Sequence, residues 1–236
     1  MSSELGLRER KKQQTRLLIA ETARRLFRER GFDAVTVAEV AKAADVSEAT
    51  VFNYFPTKED LFFRGLETLE EDMLAAIRER NPGESVLQAF ARFVLERPGL
   101  LAQQDPNARE RLTEFNRMIT ESPALLARER QIFERYTASL TALIAAESEA
   151  RAGDIEPQVV ANALIGVHRA LIDHVRKQVL AGAPRVRILR EMRAQAERAF
   201  RRLEDGLGDY AVKPGRPGPS PFHARVRPPA RRSKPI

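Results

Sequence analysis

The sequence of 236 residues predicts an all-α protein, in which a small N-terminal unit of three helices precedes a larger helical domain. Apolar residues recur at helical spacing over most of the chain. Glycine and proline fall between these periodic segments, and no stretch alternates apolar and polar residues as a half-buried strand would. Three helix-start signals, at Thr36, Ser47 and Thr57, follow one another closely and predict short, sharply angled helices.

The N-terminal unit begins with a helix predicted over residues 11–30, whose apolar residues recur at helical spacing and which Gly31 ends. Thr36 and Glu39 form a capping-box pattern, in which each side chain satisfies a free backbone amide at a helix start. The helix that they open is short and is predicted to end near Ala44.

Ser47 is suited to cap a third helix that ends at Phe55-Pro56, and Thr57 is suited to cap a fourth. Beyond this point the helices lengthen, and they are predicted over 57–80, 84–96, 107–121, 124–151, 156–181 and 184–206. The corresponding division of the chain is a flexible basic arm over 1–10, a helical unit over 11–57, a larger helical domain over 58–207 and a disordered, basic, proline-rich tail over 208–236.

The composition excludes several classes of protein. The chain has no cysteine, which excludes disulfides, thiol catalysis and zinc sites built from cysteine. The polar start, MSSELGLRERKKQQ, is unlike a signal peptide, and no uncharged apolar run approaches the roughly 20 residues of a membrane span. We therefore expect a cytoplasmic protein with no membrane partner.

The formal net charge of +7 is concentrated at the end of the sequence. Residues 213–236 contain seven Lys and Arg, half of the 14 prolines and no acid, so residues 1–212 are neutral overall. Residues 8–16, RERKKQQTR, are a basic segment within that neutral part. The Gly-Arg-Pro core at 215–217 is similar to minor-groove hooks, but a disordered extension with non-specific attraction to phosphate is the better interpretation of the tail.

Residues 44–58, ADVSEATVFNYFPTK, combine aromatic and hydroxyl side chains in one short segment. A short helix, a tight turn and a second short helix after a longer first helix form a helix-turn-helix unit, whose second helix lies in the DNA major groove. Val51 and Phe55 lie four residues apart and are expected to face the core with Phe27, Val40 and neighbouring apolar residues. The remaining side chains of this helix then face outward.

The outward side chains are of the kinds that contact nucleic acid. Asn53 is suited to an adenine edge, and Thr50 to a base edge or a thymine methyl group. The residues predicted to hold phosphates are Thr36, Ser47, Tyr54 and Lys58, and Ala49 is the small residue predicted at the tip of the same helix.

The stretch 19–62 resembles the DNA-binding domain of TetR-family transcriptional regulators. The matching residues are Leu26-Phe27, Gly31-Phe32, Thr36, Ala41, Val46-Ser47, Thr50-Val51-Phe52, Tyr54-Phe55, Thr57-Lys58-Glu59 and Leu61. This resemblance covers about a fifth of the chain and has many ordered matches. It implies an all-helical homodimer that binds a double-stranded palindromic operator and leaves it when a small-molecule effector fills a pocket in the C-terminal domain.

Two positions depart from the family pattern. Asp45 stands in the turn where the family usually has glycine, and aspartate tolerates left-handed backbone geometry better than most residues. Phe52 stands where the family usually has tyrosine, whose hydroxyl reaches a phosphate. Phenylalanine cannot make that bond, so we expect Tyr54 and Lys58 to contribute more.

The last two long helices, 156–181 and 184–206, pair with their copies in a four-helix bundle in the family, and the resemblance implies the same here. The small residues of the first permit close helix approach. The predicted dimer residues are Ala163, Gly166, Val167, Ala170, Leu189, Met192, Ala196 and Ala199. The alternative is that both helices pack only within one subunit.

The effector pocket is predicted from aromatic and flexible apolar residues at helical spacing, a pattern that plain core also produces. The candidates are Phe90, Phe93, Phe115, Met118, Phe133, Tyr136, Asn162, His168 and Arg169. Asn162, Arg169 and Arg176 share a face and suit either an acidic ligand group or pairs across an interface.

No pattern supports catalysis, a cofactor or a metal site. His168 and His174 lie six residues apart on one helix and share no face, and no phosphate-cradling glycine loop occurs. The sequence therefore predicts a non-enzymatic DNA-binding regulator, most simply a ligand-responsive repressor. The alternative is an architectural DNA-binding protein without small-molecule input.

Overall fold

The computed structural model describes residues 6–64, 66–96, 107–207 and 209–215. These residues are helical with connecting turns and contain no strand, which confirms the all-α fold class. The helices are α1 (Leu7–Arg30), α2 (Val37–Ala43), α3 (Glu48–Tyr54), α4 (Lys58–Phe62), α5 (Leu66–Arg78), α6 (Val86–Glu96), α7 (Ala108–Glu121), α8 (Pro123–Glu147), α9 (Glu156–Leu180) and α10 (Arg185–Leu207).

Helices α1 to α3 form the N-terminal unit, and their boundaries follow the predicted caps. Both hydrogen bonds of the capping box between Thr36 and Glu39 are present, and the Ser47 hydroxyl accepts a hydrogen bond from the backbone N–H of Thr50. The core of the unit buries Phe27, Val51 and other apolar side chains almost completely. The first helix starts earlier than predicted, because the basic residues from Leu7 onward already belong to α1.

The helix predicted over 57–80 is divided in the structure. α4 begins at the predicted Thr57 cap but ends after five residues at Phe62, and α5 begins at Leu66. Gly65 lies between them in the sequence, and glycine within a helix costs about 1 kcal/mol relative to alanine. Phe63, which ends α4, is buried in the core, so the chain turns there around an anchored aromatic ring.

The C-terminal domain is a bundle in which α9 packs against α8 on one side and α10 on the other. α7 closes the bundle against α8 and α9, and α6 packs on α10. The buried guanidinium of Arg176 bonds to the side chain of Asn116 at 3.2 Å and forms an ion pair with Glu129, which joins α9 to α7 and α8. In the described part of the chain, no helix combines the length and the apolar character required to cross a membrane.

Residues 209–215, the C-terminal strap, are folded against the turn between α5 and α6. The backbone of Lys213 accepts a hydrogen bond from Gly83 at 2.7 Å and donates one to Glu84 at 3.2 Å. The ammonium of Lys213 donates to the carbonyl of Arg80 at 2.9 Å. Part of the segment predicted to be disordered is therefore packed on the domain, whereas residues 216–236 lie outside the described residues.

A buried charge fixes the strap in place. Arg80 is almost completely buried, forms an ion pair with Glu147 at the end of α8, and donates to the carbonyl of Ala211 at 3.0 Å. Gly215 lies so close to Pro82 that a side chain at this position would collide with it. The strap therefore joins the ends of α5 and α8.

Candidate nucleic-acid interface and regulatory site

The α3 helix divides its side chains between the core and solvent. Val51 and Phe55 are buried, whereas Ser47, Ala49 and Asn53 are exposed. Tyr54 is half-buried against the core of the unit. A single side of α3 therefore presents small and hydrogen-bonding groups, as a helix that enters a major groove requires.

The turn between α2 and α3 accommodates the departure at Asp45. Asp45 has φ of +53°, which lies in the left-handed region that the turn was predicted to require. The backbone N–H of Val46 donates to Ala41 at 3.0 Å and closes the turn. The prediction that aspartate replaces glycine here without loss of the turn is confirmed.

The hydroxyl groups of α3 are oriented by each other. The side-chain oxygens of Ser47 and Thr50 lie 2.8 Å apart, and the Ser47 oxygen also accepts from the Thr50 backbone at 3.1 Å. Each hydroxyl keeps lone pairs free of these bonds, so both retain the capacity to meet a base edge or a phosphate. The rotamers at the tip of the helix are thus held before any DNA binds.

The hydroxyl of Thr36 is engaged within its own capping box. It donates to the Glu39 carboxylate at 2.9 Å, and the backbone N–H of Thr36 donates to the same oxygen at 2.8 Å. These bonds, together with Arg30, lower the pKa of Glu39 to about 2. A phosphate at Thr36 would therefore lie beside a fixed negative charge, which Arg30 offsets through an ion pair of 2.8 Å with Glu39.

The ammonium of Lys58 lies over the ring of Phe32, 4.2 Å from the ring centroid. This cation–π contact anchors the start of α4 to the loop after α1. Burial lowers the pKa of Lys58, although the nearby carboxylates of Asp33, Glu59 and Glu39 act in the opposite direction. The predicted phosphate contact of Lys58 therefore starts from a side chain that already has a partner.

Two polar contacts join the N-terminal unit and α4 to α8. Arg128 donates to Asp60 at 2.6 Å, and the other oxygen of Asp60 accepts from the Thr57 backbone at 3.0 Å. The Ser122 hydroxyl donates to Asp33 at 2.8 Å. These contacts link α8 to the first turn of α4 and to the loop after α1.

A cavity of about 570 Å³ lies between α1, α4 and α7, where the N-terminal unit meets the C-terminal domain. Its apolar wall is formed by Phe27, Leu61, Phe62, Phe115 and Met118. The rings of Phe62 and Phe115 are stacked with centroids 4.8 Å apart, so the wall is continuous across the boundary between α4 and α7. We call this space the junction cavity.

The junction cavity is positively charged. Among the described residues, the ionisable side chains that line it are those of Arg24, Arg28, Arg64 and Arg111 and the acidic Glu114. The Nη1 atom of Arg64 is buried and has no hydrogen-bond partner among these residues. Burial, and after it the charge of Arg64, lowers the pKa of Arg24. Clustered guanidinium groups in a partly apolar space are suited to an anion.

Phe115 and Met118 are the two predicted pocket residues that line this cavity. Sequence reasoning missed the four arginines, because residues 24 and 28 belong to α1, residue 64 to the turn after α4 and residue 111 to α7, and they show no common spacing. The signal that could have identified two of them is that basic residues continue along α1 beyond the segment 8–16. Arg24 and Arg28 are four residues apart and so share a helix face.

The other predicted pocket residues lie elsewhere in the C-terminal domain. Phe90, Phe93, Phe133 and Tyr136 are buried in the core, and His168 has its ring centroid 6.2 Å from those of both Phe90 and Phe133. Burial lowers the pKa of His168 to about 4.

The polar candidates on α9 have separate environments. Asn162 and Arg169 are exposed, and the guanidinium of Arg169 lies 6.0 Å from the ring centroid of Phe133. Arg176, which the sequence places on the same face, is instead buried in its pairing with Asn116 and Glu129. The three residues therefore do not form one ligand site within the subunit.

The predicted dimer residues divide into three groups according to their exposure. Gly166 and Ala170 are exposed on α9 together with Val159 and Asn162, and we call these four residues the α9 face. Ala163, Val167, Leu189 and Ala199 are half-buried at its margins or on α10. The positions of Met192 and Ala196 correct the expectation, because both side chains are buried within the subunit, Met192 in a cluster with Val179 and Ile188 and Ala196 in the main core.

Two family models match the chain over most of its described length. Residues 19–64 match the model for bacterial regulatory proteins of the tetR family. Residues 84–208, more than half of the chain, match the model for the MftR C-terminal domain.

Curated relatives include a transcriptional regulator and a nucleoid occlusion factor. The chain is 33% identical over 146 residues to the HTH-type transcriptional regulator TcmR of Streptomyces glaucescens. The matched region covers 60% of this chain and 63% of TcmR. It is 27% identical over 150 residues to the nucleoid occlusion factor SlmA of Haemophilus influenzae (strain PittGG), which covers 59% of this chain and 65% of SlmA. The chain thus spans slightly less than two thirds of the length of either relative.

A solved structure shares the fold. NalD of Pseudomonas aeruginosa, the secondary repressor of the MexAB-OprM multidrug efflux pump, aligns with a TM-score of 0.50 and 20% identity over 80% of this chain and 96% of NalD. The helix-turn-helix unit of α2 and α3, the helical C-terminal domain and the two family models lead to one conclusion: the chain belongs to the TetR family of transcriptional regulators.

Proposed function

We propose that this regulator is a repressor that binds a palindromic operator as a homodimer and is released by a small-molecule effector. The observation that carries the proposal is the arrangement of α3, whose apolar residues are buried while Ser47, Ala49 and Asn53 are exposed on its outer side. Asn53 reads an adenine edge, and the hydroxyls of Ser47 and Thr50 contact the backbone and an adjacent base.

The homodimer is supported by the α9 face. Exposed apolar and small residues, including Val159, Gly166 and Ala170, run along one side of a 25-residue helix. Paired with the same face of a second subunit and with α10, this surface would complete a four-helix bundle. The two α3 helices of such a dimer enter successive major grooves about 34 Å apart, which requires a palindromic site.

Release by an effector is supported by the contacts that join the domains. Asp60 binds both the cap of α4 and Arg128 of α8, so displacement of α8 or α7 moves the start of α4. α4 in turn follows α3 after only three residues. An effector that favours one arrangement of these helices changes the separation of the two α3 helices, and such couplings typically amount to about 1–3 kcal/mol.

Selection of bound sequences from a random DNA pool tests this proposal. The expected result is a discrete palindrome whose half-sites are centred about one helical turn, or a multiple of it, apart. Footprinting of the selected site should protect both half-sites at the same protein concentration. Enrichment of unrelated sequences would contradict a sequence-specific repressor.

The similarity to SlmA favours a second candidate, a DNA-binding protein that acts without small-molecule input. The basic residues of 213–236 would then add sequence-independent attraction to phosphate. The same footprint separates the candidates, because uniform protection along a long fragment is expected for this function and two protected half-sites for the repressor.

A further inference from the structure

We propose that the junction cavity binds an anionic amphiphile, with its carboxylate or phosphate head among the four arginines and its apolar part against the wall shared by α4 and α7. This inference rests on the proposed release by an effector and specifies where that effector binds and what chemistry it has. The cavity volume of about 570 Å³ is within the range of small-molecule sites, roughly 300–1,000 Å³.

The head group is specified by the charges of the walls. Four arginines and a single acid, Glu114, line the cavity among the described residues, so the local charge is strongly positive. Guanidinium groups held close together repel one another, and an anion between them relieves that repulsion. Arg64 also carries a buried Nη1 atom without a hydrogen-bond partner among the described residues, so its guanidinium is incompletely paired. Guanidinium groups bind carboxylate and phosphate oxygens through charge-assisted hydrogen bonds.

The apolar part is specified by the apolar residues of the cavity lining. Phe62 and Phe115 are stacked nearly parallel, with an interplanar angle of 5°, and Met118 lies on the same helix as Phe115. Aromatic rings beside a flexible thioether accept an alkyl chain or a flat ring without a fixed shape requirement. An inorganic anion alone would leave this wall uncovered, so the ligand needs both a charged and an apolar part.

The position of the cavity determines its effect on DNA binding. Arg24 and Arg28 belong to α1, Arg64 follows α4, and Arg111 belongs to α7. One bound anion would therefore connect the N-terminal unit to the C-terminal domain in a single arrangement. A dimer locked in this way cannot adjust the separation of its α3 helices to an operator, so the ligand lowers operator affinity.

The first test measures ligand binding to the full chain without DNA by isothermal titration calorimetry, with each probe below its micelle concentration. Decanoate and decyl phosphate provide the two head groups, and decanol and decyltrimethylammonium are the neutral and cationic controls. The expected result is that at least one anion binds about tenfold or more tightly than decanol. Equal binding of decanol, or no binding by either anion, would overturn the inference.

Matched variants locate the site. Arg111→Gln and Arg64→Gln should each weaken binding of the anion about tenfold and leave decanol binding unchanged. Arg117→Gln is the control, because Arg117 is an exposed arginine of the same helix α7 outside the cavity walls. Met118→Trp should weaken binding of the anion, because the larger side chain would fill the apolar part of the cavity. Equal losses in the Arg111 and Arg117 variants would place the anion elsewhere.

Operator binding with and without the anion then separates this inference from the proposed function. The expected result is that saturating anion weakens binding to the selected palindrome about tenfold, and that Arg111→Gln removes this effect. Arginine-dependent binding that leaves operator affinity unchanged would contradict release through this site. A different outcome is that the protein binds neither anion but leaves the operator when an uncharged compound is added. That result would support the proposed repressor function and refute the anionic site.

Discussion

The hydroxyl of Ser122 donates a hydrogen bond of 2.8 Å to a carboxylate oxygen of Asp33 and accepts one of 3.4 Å from the backbone N–H of Leu125. The first bond reaches the loop after α1, and the second caps α8. A single side chain therefore starts the 25-residue helix α8 and attaches it to the N-terminal unit. Ser122 is almost completely buried, so its bond to Leu125 is shielded from water, whereas the bond to the exposed Asp33 is only partly shielded.

Replacement of Ser122 by alanine should lower the free energy of unfolding by about 1–2 kcal/mol, because it removes a helix cap and leaves the Asp33 carboxylate without this partner. Urea denaturation followed by circular dichroism measures the change. Thr120→Ala is the control, since the exposed Thr120 hydroxyl bonds only to carbonyls of its own helix. A similar loss in both variants would show that neither the cap nor the Asp33 contact contributes measurably.

Replacement of Asn53 by alanine should relax the preference at one base position of the operator and cost about 1–3 kcal/mol of binding free energy. Fluorescence anisotropy on operators with single base changes measures this loss. Lys58→Ala is the comparison, because loss of a phosphate contact weakens all sequences alike and lowers the salt slope by about one. An unchanged base preference in Asn53→Ala would exclude Asn53 from base reading.

Replacement of Phe52 by tyrosine should strengthen DNA binding severalfold, which corresponds to roughly 1 kcal/mol for one added hydrogen bond to a phosphate. Phe52 is 46% exposed on α3, so a hydroxyl can be added without disturbing the core. The operator Kd at fixed salt measures the gain, and Phe52→Leu provides a control without the hydroxyl. Equal affinity of Phe52→Tyr and the unchanged protein would show that this ring does not face the DNA backbone.

Replacement of Gly166 by leucine should dissociate the homodimer without unfolding the subunit. A Cβ atom added at Gly166 meets no neighbouring atom within 4 Å in one subunit, whereas a close partner helix would collide with a leucine side chain there. Sedimentation velocity at micromolar concentration measures the oligomeric state. Ala138→Leu, on the exposed side of α8, is the matched control. A dimer that survives Gly166→Leu would exclude the α9 face from the interface.

Stability should decrease as the pH falls from about 6.5 to 4, because of His168. Burial lowers the pKa of His168 to about 4 in the folded protein, whereas an unfolded histidine has a pKa of about 6.5. Between these values the unfolded chain binds a proton that the folded protein does not, so folding loses about 2–3 kcal/mol across the window. His168→Phe should flatten this part of the stability profile, and parallel profiles would contradict the assignment.

The local signals in the sequence were sufficient for the N-terminal unit. Thr36, Ser47 and Thr57 are each hydrogen-bonded as caps, and Asp45 has the positive φ that its place in the turn requires. These features depend on neighbours within three or four residues, which the sequence displays directly. The outward side of α3 followed from the same local geometry.

Features that depend on contacts between distant residues were not predictable in this way. The buried pairing of Arg176 with Glu129 joins residues 47 apart, and the periodicity of α9 alone assigned Arg176 to a ligand or an interface. The junction cavity similarly combines α1, α4 and α7, so no single helix pattern contains it. Helix periodicity identifies which residues share a face, but only packing determines what covers that face.

The C-terminal strap and α8 together fix where the remainder of the chain starts. α8 is capped by Ser122 beside the N-terminal unit and ends at Glu147 beside Arg80, and its 25 residues span about 37 Å. The strap ends at Gly215 near this far end, so about eleven fully extended residues would be needed to return to the DNA side. Gly215, the first residue of the Gly-Arg-Pro segment, therefore lies at the end of α8 that is remote from the N-terminal unit.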